Sequence, residues 1–341
     1  MSESCDVCAG PDLRPWLEVS LMGVRGVCVH RCSACGFRQV RPRLGADEIT
    51  QLYSSDYFDA SSSVGYADYA REHQRRQRDA YFLRRWLEQL GGRGRLLEVG
   101  CALGFLLAGL KRSTWQVAGV DASPFAVYYA RTRYGLDVAH GTLEEQAFPD
   151  EAFDVLIQKD LLEHVANPRR HLQESHRILR RGGWLRLVTP NGEANLRPLV
   201  GAANGPGCDL RPALDQGHLS FFSQAHLREL FRACGFHCHR IRMIGISRGM
   251  RALGWLPGQN RFVRRVSSDS SPGRVVSPVT ASIDAHFGAL ATQIDDDIAR
   301  RHHGVKDSVL YYWIHRFSKQ LDALPAWCEF GYDFECLLQK R

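Results

Sequence analysis

The chain has 341 residues, 44% of them hydrophobic and 24% charged, with 31 glycines and 14 prolines. That balance suits a globular protein with a sizeable core, and it excludes a disordered chain, a collagen-like repeat or a coiled-coil rod. A net charge of +7 is mild for the length. It permits a cationic face toward an acidic ligand but does not by itself define a nucleic-acid binder. There is no uninterrupted apolar run of about eighteen residues, so no membrane-spanning helix is expected. The N-terminus, Met1-Ser2-Glu3-Ser4-Cys5-Asp6, is too polar and acidic for a signal peptide, so the expected compartment is the cytoplasm. In that compartment eleven cysteines argue for metal binding rather than a disulfide framework.

The first 45 residues carry the clearest metal pattern. Cys5-Asp6-Val7-Cys8 and Cys32-Ser33-Ala34-Cys35 are separated by twenty-three residues, the spacing of a four-cysteine zinc ribbon. Between them, Trp16 to Val19 and Val27 to His30 alternate like the strands of a hairpin. Cys28 and His30 are spare donors, since Cys5, Cys8, Cys32 and Cys35 already close a tetrahedral site around structural Zn2+. A site closed by four thiolates leaves no position for catalysis, so its expected role is to staple a module too small to fold alone.

Residues 46–92 read as a helical extension, with Leu83, Trp86, Leu87 and Leu90 at helical spacing before Gly91-Gly92. Six arginines between Arg71 and Arg85 are expected on a solvated face, with contact to nucleic acid as the alternative. From residue 93 strands and helices alternate. Arg95 to Val99 is a strand ending in a glycine turn, and Gln116 to Asp121 a second ending in an acid. Ser123 caps a helix with Pro124 at its first position and Gly135 at its end. Leu136 to Gly141 and Phe153 to Gln158 are further strands; Asn167-Pro168 opens a helix expected to stop at Gly182-Gly183, before the strand Trp184 to Thr189. Such alternation specifies parallel strands with crossover helices, a doubly wound α/β fold.

In that fold the ligand site lies outside the carboxyl ends of the strands. The residues placed there are Gly100 to Gly104, Asp121, the Gly141-Thr142-Leu143 corner and Gln158 to His164. A carboxylate at the end of the second strand can accept both hydroxyls of a ribose. The glycine spacing Gly100-x-x-x-Gly104 differs from a dinucleotide fingerprint, and Glu98 beside it is unwelcome near pyrophosphate but suits an ammonium or sulfonium.

Glu98-Val99-Gly100-Cys101-Ala102-Leu103-Gly104 resembles the first motif of class I S-adenosylmethionine-dependent methyltransferases, and Gly119 to Ser123 resembles their ribose-binding segment. Phe148 to Val155 with Asp160 to Val165, and Leu179 to Asn191, resemble the fourth-strand and fifth-strand motifs. The resemblance covers roughly residues 93–240 with 328–340 as the last strand. It implies a seven-stranded, mostly parallel Rossmann-like sheet, with S-adenosylmethionine held by Glu98, Gly100, Cys101, Ala102, Gly104, Asp121, Ala122, Thr142, Leu143 and Gln158. Ala102 stands where the family usually has glycine, and Thr142 where many members carry an acid. A zinc-binding N-terminus followed by Leu52 to Phe58 resembles a bacterial subgroup acting on sugars, glycans and natural products; some rRNA methyltransferases also carry a zinc ribbon.

Methyl transfer needs positioning and, for poor nucleophiles, a base. His164 and His218 are the candidates; each has an alternative role in fixing a loop. Tyr57, Tyr66 and Tyr69 precede the core and would either close over the methionine end or pack. The loop from Asn191 to Gly217 is expected to arch over the pocket, before a helix with Leu227, Leu230, Phe231 and Cys234 on one face. The core thus spans 93–245, followed by an insertion at 246–327 with a mobile linker at 264–280 and helical spacing at 282–299 and 309–321. The insertion reads as a substrate lid or a surface for homodimerisation, and 328–341 completes the sheet. The leading expectation is a methyltransferase acting on a small-molecule acceptor. An RNA methyltransferase, and a non-catalytic binding module of the same fold, are the alternatives.

Overall fold

The structure is a computed structural model that describes residues 4–21, 24–45, 48–49, 52–58, 69–111, 113–196, 213–214, 217–245, 283–304 and 332–341. Its strands form two sheets, one of seven strands and one of five. In the larger sheet, β4 (Gly94–Val99) lies between β5 (Trp115–Asp121) and β7 (Phe153–Lys159). β6 (Asp137–His140) forms one edge; β8 (Leu179–Pro190), β12 (Asp333–Lys340) and β11 (Phe236–Ile244) continue the other side. Strands β4 to β8 pair in parallel, and β12 enters antiparallel between β8 and β11.

Both faces of this sheet are covered, so its central strands are apolar on both sides. Leu96 and Ile157 face one core with Leu83, Leu107 and Val127, from the helices α1 (Ala70–Gln89), α2 (Phe105–Leu110) and α3 (Pro124–Tyr134). Their neighbours Leu97 and Leu156 face the other core, with Leu172 and Leu230 of α4 (Pro168–Ile178) and α5 (Gln224–Ala233). The predicted caps form: the Ser123 hydroxyl accepts from Ala126 N at 3.4 Å, and Asn167 Oδ1 accepts from Arg170 N at 3.0 Å. Helix α4 ends at Ile178 rather than at Gly182-Gly183. Leu179 already pairs with Phe153, and the two glycines fall within a bulged stretch of β8 before Trp184 pairs with Val155.

The smaller sheet runs β10 (Ser220–Phe221), β3 (Arg38–Arg41), β2 (Val24–Cys32), β1 (Leu13–Leu21), β9 (Ala213–Leu214). Two of its strands therefore come from the loop that follows β8. The cysteine module is sewn to the larger unit: Cys5, Val7, Cys32 and Phe37 share a core with Phe222, and Phe37 and Phe222 have ring centroids 5.2 Å apart. Arg169 Nε of α4 donates to Asp6 O at 3.0 Å, and His226 Nε2 lies 3.0 Å from Cys35 O.

Of the insertion, α6 (Ile283–Gly304) is described. Leu290, Ala291 and Ile294 pack against Phe58, Phe125 and Tyr129, so the helix braces the outer side of α3 against the N-terminal extension. The linker expected at 264–280 and the helix expected at 309–321 lie outside the described residues, as does most of the loop at 191–217.

Candidate active site

The carboxyl ends of β4, β5 and β7 open onto a cavity of about 520 Å³. Gly100, at φ +72°, turns the chain away from β4, and its amide donates to Val120 O at 2.8 Å. A Cβ at Gly100 would meet Leu161 at 3.0 Å, so glycine serves both the conformation and the close approach. Ala102 is also left-handed, at φ +48°, a conformation that costs a non-glycine residue about 1 kcal/mol. Its amide donates to Asp121 Oδ2 at 2.7 Å, while Ser123 N donates to Asp121 Oδ1 at 2.9 Å. The carboxylate is thereby aimed along the cavity edge at the tip of β5. Burial raises the Asp121 pKa, and these two amides oppose the shift.

Gly100, Ala102, Asp121, Ala122, Thr142, Leu143, His164 and His218 all line the cavity. Glu98 and Cys101 lie behind the glycine turn, around a small recess shared with Tyr69 and Arg76. Glu98 is 3% exposed, and among the described residues its Oε2 has no hydrogen-bond partner. Gly104 does not line the cavity; a Cβ there would come within 2.6 Å of Leu136 Cδ1, so it is required where α2 meets that side chain. Gln158 is also placed elsewhere. It faces the core on the far side of the sheet, where Nε2 donates to Ser175 Oγ of α4 at 2.8 Å. Strand parity explains this, because Gln158 shares a face with Leu156.

Structure adds residues that the motifs did not single out. Arg75 and Arg76 of α1 line the cavity, correcting the expectation that the whole arginine run is solvated. Arg76 Nη2 lies 3.5 Å from Asp160 and Nε 3.6 Å from Glu72, and Lys159 Nζ pairs with Asp79 at 2.7 Å. Burial lowers the Lys159 pKa to about 8. Tyr53, Tyr57 and Tyr69 form an aromatic wall of the cavity, with Tyr332 and Asp333 also lining it; Tyr66 lies outside the described residues.

At the inner end, His164 and His218 stand with ring centroids 4.9 Å apart. His164 Nδ1 is 2.7 Å from the Tyr53 hydroxyl and 3.1 Å from Gly217 O. Burial pushes the His164 pKa down to about 4 and lowers that of His218, so both rings are neutral near pH 7. Glu163 is buried beside them, its Oε2 accepting from Thr189 Oγ1 at 2.9 Å.

The four ribbon cysteines converge. Cys5 and Cys35 sulfurs are 3.6 Å apart, as are those of Cys8 and Cys32. Tetrahedral Zn–S bonds of about 2.3 Å give sulfur separations of about 3.8 Å, so the cluster has room for such an ion. Cys28 and His30 stay outside it: the Cys28 thiol points to Val29 O and His30 Nδ1 lies by Cys28 O.

A doubly wound sheet, a left-handed turn after its central strand and a carboxylate at the tip of the next strand together define a nucleoside-binding α/β enzyme. The family described as a methyltransferase domain matches residues 71–241, and the chain belongs to the class I S-adenosylmethionine-dependent methyltransferases. It is 36% identical over 213 residues to a probable S-adenosylmethionine-dependent methyltransferase of Mycobacterium tuberculosis, covering 60% of this chain and 72% of that one. A similarly described Mycolicibacterium smegmatis protein is 32% identical over 145 residues; the match covers 41% of this chain and about half (51%) of that relative. A ubiquinone biosynthesis O-methyltransferase of Ruegeria pomeroyi is 36% identical over 94 residues, 26% of this chain and 38% of the relative.

Proposed function

We propose that the protein transfers the methyl group of S-adenosylmethionine to an oxygen, nitrogen or carbon atom of a small molecule, of the sugar, glycan or natural-product class, in the cytoplasm. The observation that carries this reading is the meeting of Tyr53, Tyr57, His164 and His218 with Asp121 around one cavity, a set of aromatic and imidazole side chains suited to a small acceptor. Its volume of about 520 Å³ is of the size that takes a cofactor and a small acceptor. The O-methyltransferase among the relatives acts in the biosynthesis of a small molecule, which supports the same reading.

The residues fit the cofactor on chemical grounds. Asp121 offers acceptor oxygens to a ribose, and the orphaned oxygen of Glu98 offers a partner to a cationic amine. Bound S-adenosylmethionine supplies an electrophilic methyl whose leaving group needs no acid. The protein's part is to orient the acceptor and exclude water, and where the acceptor is a hydroxyl, a neutral imidazole of His164 or His218 takes its proton. Cys5, Cys8, Cys32 and Cys35 hold structural Zn2+ in this reading.

S-adenosylhomocysteine should bind the purified protein, and Asp121→Ala should weaken that binding tenfold or more, because charged hydrogen bonds contribute roughly 1.5–3 kcal/mol each. Wild-type affinity in the variant would sink the ribose assignment. With methyl-labelled S-adenosylmethionine and a cell extract, label should enter RNase-resistant, low-mass or glycan material. Label released by RNase would instead establish an RNA acceptor, and cofactor binding with no transfer to any acceptor class would point to a binding module.

A further inference from the structure

Glu163, His164 and His218 present one carboxylate oxygen and two imidazole nitrogens within 4.8 Å of one another on the inner wall of the cavity. We propose that these three side chains form a divalent-metal site, with Zn2+ the ion best matched to the donors and its remaining coordination open to the acceptor. Two imidazoles and one carboxylate are the donor set of catalytic rather than structural zinc. The site is distinct from the four-thiolate cluster.

The orientation of each donor supports this. His164 Nδ1 faces Gly217 O at 3.1 Å, and a carbonyl only accepts, so the ring proton sits on Nδ1 and Nε2 carries a lone pair. The Tyr53 oxygen, 2.7 Å from the same Nδ1, shares that proton. Nε2 points at Glu163 Oε1, 3.6 Å away. Glu163 is 1% exposed, and among the described residues Oε1 has no hydrogen-bond partner although Oε2 is held by Thr189. A ring nitrogen and a carboxyl oxygen thus face each other, too far apart for a hydrogen bond. An ion about 2.1 Å from each resolves the arrangement, since tetrahedral ligands at that bond length stand about 3.4 Å apart.

His218 supplies the third donor. Among the described residues its ring makes no hydrogen bond, and it faces the cavity. The supporting contacts are those a metal site uses: an imidazole fixed through its other nitrogen by a backbone carbonyl, and a carboxylate fixed through its other oxygen by a hydroxyl. Asp160 and Asp333 line the same cavity and lie close enough to act on Glu163, and Arg76, which also lines it, is paired to Asp160. An acceptor oxygen on the open coordination position would lie on the cavity side of the ion. This use of the ion rests on the methyl-transfer reading and, because the ion occupies both imidazole lone pairs, takes the place of proton transfer to His164 or His218; the ion's binding does not rest on that reading.

Metal content of the intact, zinc-equilibrated protein tests the site directly. The wild type should hold two Zn2+ per chain, and Glu163→Gln and His218→Ala one each. Co2+ added to protein whose thiolate site is filled with Zn2+ should bind as one further equivalent, with ligand-field absorption and no sulfur-to-metal charge transfer. Either substitution should weaken that equivalent by more than about tenfold. A wild type with a single equivalent held by thiolates would overturn the site even if a variant failed to fold, as would a second equivalent unchanged in both variants. S-adenosylhomocysteine binding by the same samples separates the two readings: a wild type that binds it but takes no second metal loses the metal site alone.

Discussion

Glu98 concentrates the electrostatics of the cofactor end in one residue. Burial raises its pKa to about 8, with Arg76 and Lys159 pulling the other way, so at pH 7 the free protein keeps it protonated. A carboxyl with a raised folded-state pKa stabilises the fold most at pH values below the unfolded pKa. That contribution is lost as the pH climbs through about 8. A cation bound beside Glu98 favours the ionised form, so cofactor binding and proton release are linked. S-adenosylhomocysteine binding should therefore release most of one proton at pH 7 and little at pH 9, read by calorimetry in buffers of different ionisation heat. Glu98→Gln should abolish the release and weaken binding. Binding at pH 7 that releases no proton from the wild type would remove Glu98 from the ammonium contact.

At the scale of elements, the cysteine module buttresses segments that carry the wall of the cavity. Val40 N of β3 donates to Leu219 O at 2.8 Å, while Leu219 N and Ser220 N donate to Glu163 O at 2.7 and 3.0 Å. The strand after the ribbon hairpin thus holds the segment bearing His218 against the segment bearing Glu163 and His164. Removing one thiolate, as in Cys8→Ser, should cost the ribbon its zinc and speed hydrogen exchange at Val40 while leaving β4 and β5 protected. Unchanged exchange at Val40 in zinc-free protein would show that β3 and β10 pair without the metal. Much at this scale was legible in the sequence, because caps, glycine turns, strand alternation and cysteine spacing are local. Ser123-Pro124, Asn167-Pro168 and the two cysteine knuckles each act within a few residues. What sequence left open is long-range: the capture of Ser220–Phe221 by the ribbon sheet, and the inward turn of part of the arginine run. The latter did have a signal, since Glu72, Arg76, Asp79, Leu83 and Leu87 recur at helical spacing and share the face that α1 turns to the core.

For the whole molecule, the question is what the +7 charge does. Phosphate recognition needs unpaired cations along one face. Here many arginines are already matched: Arg133 with Asp295, Arg177 with Glu174, Arg180 with Asp154, and both Arg186 and Arg242 with Glu335. The more exposed of these pairs, such as Arg180 with Asp154, contribute little to stability, about 0–1 kcal/mol each, but every pair helps cancel the field a polyanion would sense. Arg75 and Arg76 are drawn into the cavity with Glu72 and Asp160, which leaves that part of α1 unsuited to tracking a backbone of phosphates. Each phosphate neutralised contributes about −0.9 to the slope of log affinity against log salt for a duplex and about −0.7 for a single strand. Retention on RNA should therefore be weak, with a slope shallower than about −2, the equivalent of two or three contacts. A slope of about −5 or steeper would require a continuous cationic track. It would move the acceptor from the small-molecule class to RNA, and Arg71, Arg78 and Arg85 of α1 would then be the first substitutions to make.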